Sequence, residues 1–261
     1  MSSKQNKQTK KELRVSNKIV AYSAITFAVL IALMFLWRGH MTLYGYRAVK
    51  VMIPVLAVLA VLVGVWAVVY YVRSKKKGKD LSAFPLTLPE IIGVVAAFLI
   101  ALWAISEYHL DAVKACYIII PVAYVLFLIY FIYEFDFFVL AGSMIMSFLA
   151  IYGMYRLLTY PPFQGSLTGL VIAIEAVFAV ALALAVYLKV KGGKLTIGTK
   201  SIAVFSEKTR YAPLFLFFVL AMVLFPLILV YGASFAYYAL FAVGGCALVA
   251  AIYYTVRLMY R

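Results

Sequence analysis

The sequence predicts an all-α, polytopic integral membrane helix bundle of about eight transmembrane helices, and three observations carry that reading. First, 67% of the 261 residues are hydrophobic, only 13% are charged, and the mean hydropathy is +1.05. Soluble domains carry roughly half apolar and about a quarter charged residues, so this composition does not cover a water-facing surface. Second, the apolar residues fall into runs close to the ~20 residues that a helix needs to cross about 30 Å of hydrocarbon. Third, the cations gather in alternate connections between those runs. A soluble enzyme, a secreted disulfide scaffold and a disordered chain are excluded.

The first run, 18–37, follows a basic leader and reads as a retained anchor. It is longer than the 7 to 15 residues usual for a signal-peptide core. Leu36-Trp37-Arg38-Gly39-His40 offers no small-residue cleavage site, and neither Met1-Ser2 nor the terminal Arg261 fits a lipidation pattern. The second run, 49–72, carries Pro54, and the third, 89–106, opens on Pro89 and Glu90, where proline is tolerated and a carboxylate complements the helix N-terminus. The fourth, 113–133, contains Pro121, and the fifth, 137–158, has small residues at Ser143 and Ser147. The sixth, 168–188, has Ala179 and Ala183, the seventh, 211–231, has Pro226, and the eighth, 234–256, has Gly244, Gly245, Ala247 and Ala251. Internal prolines kink such helices, and small faces let them approach closely. Tyrosines and tryptophans near the run ends, such as Trp37, Tyr70, Trp103, Tyr133 and Tyr253, read as an interfacial belt.

Residues 1–17 are therefore expected to form a basic cytoplasmic tail, and 18–258 the transmembrane bundle, with no soluble domain. Tyr71-Val72-Arg73-Ser74-Lys75 and Tyr187-Leu188-Lys189-Val190-Lys191 end the second and sixth runs alike. That echo suggests two parallel four-helix halves, 18–133 and 137–258. The plain alternative is that any helix leaving the cytoplasmic face ends in Tyr and then a cation, as Tyr254 to Arg257 also does.

The net charge of +15 would point to nucleic acid in a soluble protein; here it orients the chain, and no nucleic-acid partner is expected. Eight crossings put both ends on one side, and that side holds 19 of the 24 Lys and Arg, leaving Arg38, Arg47, Lys50, Lys114 and Arg156 opposite. Short basic loops are retained in the cytoplasm, so both termini are expected there, in the cell membrane, with anionic lipids associated at the cytoplasmic face.

Catalytic signatures are missing, so no catalytic, cofactor-binding or metal residues and no cofactor are assigned. His40 and His109 fall in outer loops, out of reach of a membrane serine, and Asp80, Asp111 and Asp136 fall in loops on both sides rather than sharing a proton. No zinc-protease H-E-x-x-H occurs. Cys116 and Cys246 differ in depth by roughly 13 Å, too far for a disulfide, and read as small core residues. Glu107, His109 and Asp111 form a solvated outer cluster rather than a metal site. Gly193 to Ser201 almost spells a phosphate-binding loop, but Thr199 is inserted before Lys200 and a membrane helix precedes it; a small β-hairpin fits better, with the 189–210 loop as a docking place for a protein partner. Glu134 and Asp136 are expected in a solvated tight turn, meeting cations of the tail.

Glu175 is the acid placed deep within a run, about seven residues or roughly 10 Å below the outer boundary. An unpaired carboxylate is costly there, so it should face the bundle, paired or protonated. Arg156, near the outer end of the fifth run, and Tyr152, one turn deeper, are its expected partners in an intramembrane polar site. Two functions follow from these residues: a noncatalytic accessory or scaffold component with Glu175 as a structural clasp, or a transporter of a small molecule, ion or lipid that uses Glu175. A lipid-headgroup enzyme would need polar residues converging at one membrane face.

Overall fold

The computed structural model describes residues 2–76, 87–159, 167–197, 200–206 and 209–260. In chain order its elements are α1 (Ser2–His40), α2 (Leu43–Lys76), α3 (Leu88–Ile132), α4 (Phe135–Thr159), α5 (Leu167–Val190), strands β1 (Lys194–Ile197) and β2 (Lys200–Ala203), and α6 (Ala212–Met259). All 6 helices are long and apolar enough to cross a membrane, which makes the chain an integral membrane protein in contact with lipid. Pro54, Pro121 and Pro226 lie inside α2, α3 and α6.

Where the sequence suggests eight separate runs, the described residues form six long helical elements, with the third and fourth runs joined across a kink in α3 and the seventh and eighth across a kink in α6. Each of these two helices contains one residue with non-helical backbone: His109 in α3, at φ 48 and ψ −122, and Gly232 in α6, at φ 74 and ψ −158. The Gly232 conformation is open essentially to glycine alone, since a Cβ would clash with its own backbone. Gly193, at φ 80, turns the chain after α5; its carbonyl accepts the Val204 and Phe205 amides at 2.9 and 3.1 Å, and a Cβ would meet the Phe205 carbonyl. The short β1–β2 hairpin that follows is antiparallel, with Lys194 opposite Ala203 and Ile197 opposite Lys200. Gly198 and Thr199 of the near-phosphate motif lie outside the described residues, as do the side chains of most of the basic tail, Lys77 to Lys79, and Gln164.

The chain forms two compact units, residues 1–128 and 129–261. In the first, α1 packs on α2, and Leu33, Leu36, Val49, Leu102, Ile105 and Val113 make a core near the His40 end of α1. In the second, α6 is the central element, packed extensively on α4 and on α5, whereas α4 and α5 touch each other little. Phe178 of α5 meets Phe217, Phe218 and Phe225 of α6 at centroid distances of 5.8 to 6.5 Å, and Phe225 is fully buried. Cys116 and Cys246 are free thiols.

Candidate functional site

The most enclosed polar cluster lies where the turn before α4 meets the last turns of α6. Glu134 and Asp136 flank Phe135 in a connection too short to carry carboxylates away from the helix ends. Asp136 is only 1% exposed. Its Oδ1 accepts the Phe137 amide at 2.9 Å, while Oδ2 accepts the Tyr254 hydroxyl at 3.3 Å and Arg257 Nη1 at 3.2 Å. The other Arg257 nitrogen, Nη2, forms an ion pair with Glu134 Oε2 at 2.7 Å. One guanidinium thus faces two carboxylates, matching their geometry with its planar fork. Tyr254 stacks on Phe137 with centroids 4.5 Å apart, and Tyr133 reaches Thr255 at 3.0 Å between the hydroxyls. Just before α6, the Tyr211 hydroxyl is buried without a hydrogen-bond partner, and burial, then the negative charge of Asp136, push its phenol pKa upward.

This placement corrects the sequence expectation of a solvated turn: Asp136 is enclosed, with Phe137 and Tyr254 close over it, and among the described residues both acids pair with Arg257. A readable signal was present: two acids in a three-residue turn between apolar runs, with Arg257 one turn from the end of a helix assigned to the same side.

The first unit carries a simpler pair. Lys18 of α1 is buried against Glu90 at the start of α3, and Glu90 Oε2 also accepts the Thr87 amide at 2.7 Å, capping the helix as its position suggests. Nearby, Ser23 bonds the Tyr124 hydroxyl and Tyr22 packs on Phe127 at 4.0 Å. At the far end of the same helices, His40 and His109 lie 6.0 Å apart between ring centroids, and Tyr46 sets its ring edge-on to both, at 6.0 and 5.8 Å. The Lys18 to His40 segment of α1 covers about 33 Å and Glu90 to His109 of α3 about 28 Å, so the two polar contacts are separated by close to one hydrocarbon thickness.

Glu175 sits in α5, and its Oε1 is buried with no hydrogen-bond partner. Neither Tyr152 nor Arg156 bonds to it, and the Tyr152 side chain is 47% exposed. The slight contact between α4 and α5 accounts for this, since α6 is the neighbour of both. Glu107, His109 and Asp111 are exposed, Asp111 pairs with Lys114 at 3.7 Å, and no group of three His, Cys, Asp or Glu that could hold a metal ion occurs among the described residues.

No family model, no curated protein and no solved structure matches this chain.

Proposed function

We propose that the chain is a noncatalytic component of the membrane, an accessory subunit or scaffold, that crosses the bilayer eight times with both termini in the cytoplasm. The observation that carries the reading is the Glu134, Asp136 and Arg257 cluster. Its acids pair with its cation, tying the α3–α4 turn to the end of α6, and Asp136 is enclosed. The two residues with non-helical backbone support the crossing number. A continuous α3 of 45 residues would measure about 68 Å, more than twice the hydrocarbon thickness, whereas a reversal at His109 gives two segments of ordinary span. The same reasoning divides α6 at Gly232. The 19 to 5 cation split supports a cytoplasmic position for Lys18, Arg257 and the 189–210 loop, beside anionic lipid, and in this reading the hairpin is the surface for a protein partner. Chemical cross-linking of membranes, followed by purification in mild detergent, should recover the chain in a complex of fixed stoichiometry. Recovery only as an isolated chain, under conditions that preserve known complexes, would count against a scaffold.

Glu175 favours a second reading, transport of a proton, cation or cationic solute, because one of its oxygens is buried in a membrane-spanning helix without a hydrogen-bond partner. In this reading Glu175 binds the cargo, with Tyr152 and Arg156 toward the outer end of the path. Purified protein in liposomes should then support a flux that Glu175→Gln abolishes while the protein remains folded. Equal flux in both proteins would reject the assignment.

A further inference from the structure

The histidine end of the first unit carries an open cleft of about 280 Å³, near the low end of small-molecule sites. Its polar lining is His40, Tyr46, Lys50, Ser106 and His109, drawn from the ends of α1, α2 and the first part of α3, over an apolar floor that includes Ile53 and Pro54. Hydroxyl and N–H donors and one permanent cation line this space, and no carboxylate does. The His40 Nδ1–H donates to the Leu36 carbonyl at 2.8 Å, which fixes the ring and turns Nε2 away from that bond. Lys50 lies 5.0 Å over the Tyr46 ring, holding the ammonium at the cavity wall. His109 is the one described non-glycine residue with positive φ, at 48°. That conformation is strained for a side chain with a Cβ, and it sets the imidazole against Tyr46 and His40. Packing alone would be better served by glycine at this break, as Gly232 serves in α6.

We infer that this cavity binds a phosphate-type oxyanion, as free phosphate or as the phosphate of a lipid headgroup. Lys50 supplies the charge, and Tyr46, Ser106 and His109 supply donors to the remaining oxygens, while His40, whose N–H is held by the Leu36 carbonyl, shapes the wall. Under the proposed topology four of the five non-cytoplasmic cations, Arg38, Arg47, Lys50 and Lys114, belong to the helix ends around this cavity. Cations there oppose the retention preference that orients the chain, so their concentration at one place calls for a ligand rather than for insertion. They outnumber the local acids Glu107 and Asp111, and Asp111 is paired with Lys114. A divalent metal is disfavoured by Lys50 in the wall and by the absence of a carboxylate ligand from the lining. The inference draws on the topology of the proposed function and is independent of whether the chain is a scaffold.

The full chain purified in dodecyl maltoside, a detergent without phosphate, provides the test. Inorganic phosphate is titrated by calorimetry, and retention of phosphatidylglycerol is followed by native mass spectrometry. Binding of inorganic phosphate with one-to-one stoichiometry identifies a free-anion site, and retention of the lipid without phosphate binding identifies a headgroup site. In either case Lys50→Gln and Ser106→Ala should each weaken binding by about tenfold, and Lys189→Gln, a cation of α5, should leave the binding of inorganic phosphate unchanged. His109→Gly, which suits the backbone and removes the imidazole, should retain thermal stability and lose affinity; it gives a second readout should Lys50→Gln fail to fold. Binding of neither probe, binding indifferent to Lys50, Ser106 and His109, or zinc binding dependent on both histidines without phosphate binding would each overturn the inference.

Discussion

The two units use polar residues in opposite ways. In the second, 39% of the most apolar stretch of α4 and of α6 is buried, and the acids near the α6 terminus are closed over by aromatic rings and held by Arg257. In the first, the corresponding share is 11% for α1 and 6% for α2, the helices meet chiefly near their His40 ends, and the polar residues there line an open cavity rather than satisfying one another. Apolar faces left uncovered within the first unit are available to acyl chains, which are as apolar as the side chains themselves. A dense helical core whose terminal acids share one guanidinium resists rearrangement there. A loosely packed set of helices with unsaturated donors at one end can admit a ligand.

Four substitutions would break or sharpen that contrast. Arg257→Met leaves Glu134 and the enclosed Asp136 without their shared cation, and a loss of about 3 to 5 kcal/mol in unfolding free energy is expected, measured by denaturant unfolding in micelles. A cost below that of the Lys18 substitution would remove the distinction between the units. Gly232→Ala places a Cβ on a backbone conformation that only glycine adopts readily, at φ 74 and ψ −158, and should destabilise by about 2 kcal/mol in the same assay. No change would mean that α6 runs on without the break. Lys18→Met removes the cation from Glu90 in the first unit, where the carboxylate keeps the Thr87 amide and partial access to solvent. The expected cost is about 1 kcal/mol, and thermal melting of Lys18→Met beside Glu90→Gln should show the two variants alike. Glu175→Gln replaces the carboxyl by an amide of the same shape, and its buried Oε1 has no hydrogen-bond partner to lose, so stability should change by less than about 0.5 kcal/mol. A large loss would reveal a clasp.

Much of the fold was legible in the sequence because membrane crossing is a matter of length and apolar composition, both of which a single chain displays. The runs 49–72, 137–158 and 168–188 fall within α2, α4 and α5, and Gly193 marks the turn into the predicted hairpin. The form of the break inside α3 was not legible. Residues 107–112, with the polar Glu107, His109 and Asp111, read as a loop between two runs, yet helical backbone flanks a single non-helical residue, His109. The polar contacts were harder still, because partners such as Asp136 and Arg257, or His40 and His109, are far apart in sequence and their pairing depends on which helix ends meet. Glu175 could be singled out as costly, but its neighbour is α6 rather than α4, which depth along the helix cannot disclose.

The decisive question is whether His109 returns the chain to the outer surface, so that α3 crosses the membrane twice. With Cys116 and Cys246 replaced by alanine, Asp111→Cys should react with a membrane-impermeant maleimide in intact cells, and Lys194→Cys should react only after permeabilisation. An Asp111→Cys that is shielded from the reagent on both sides, or that reacts only after permeabilisation, would contradict the double crossing.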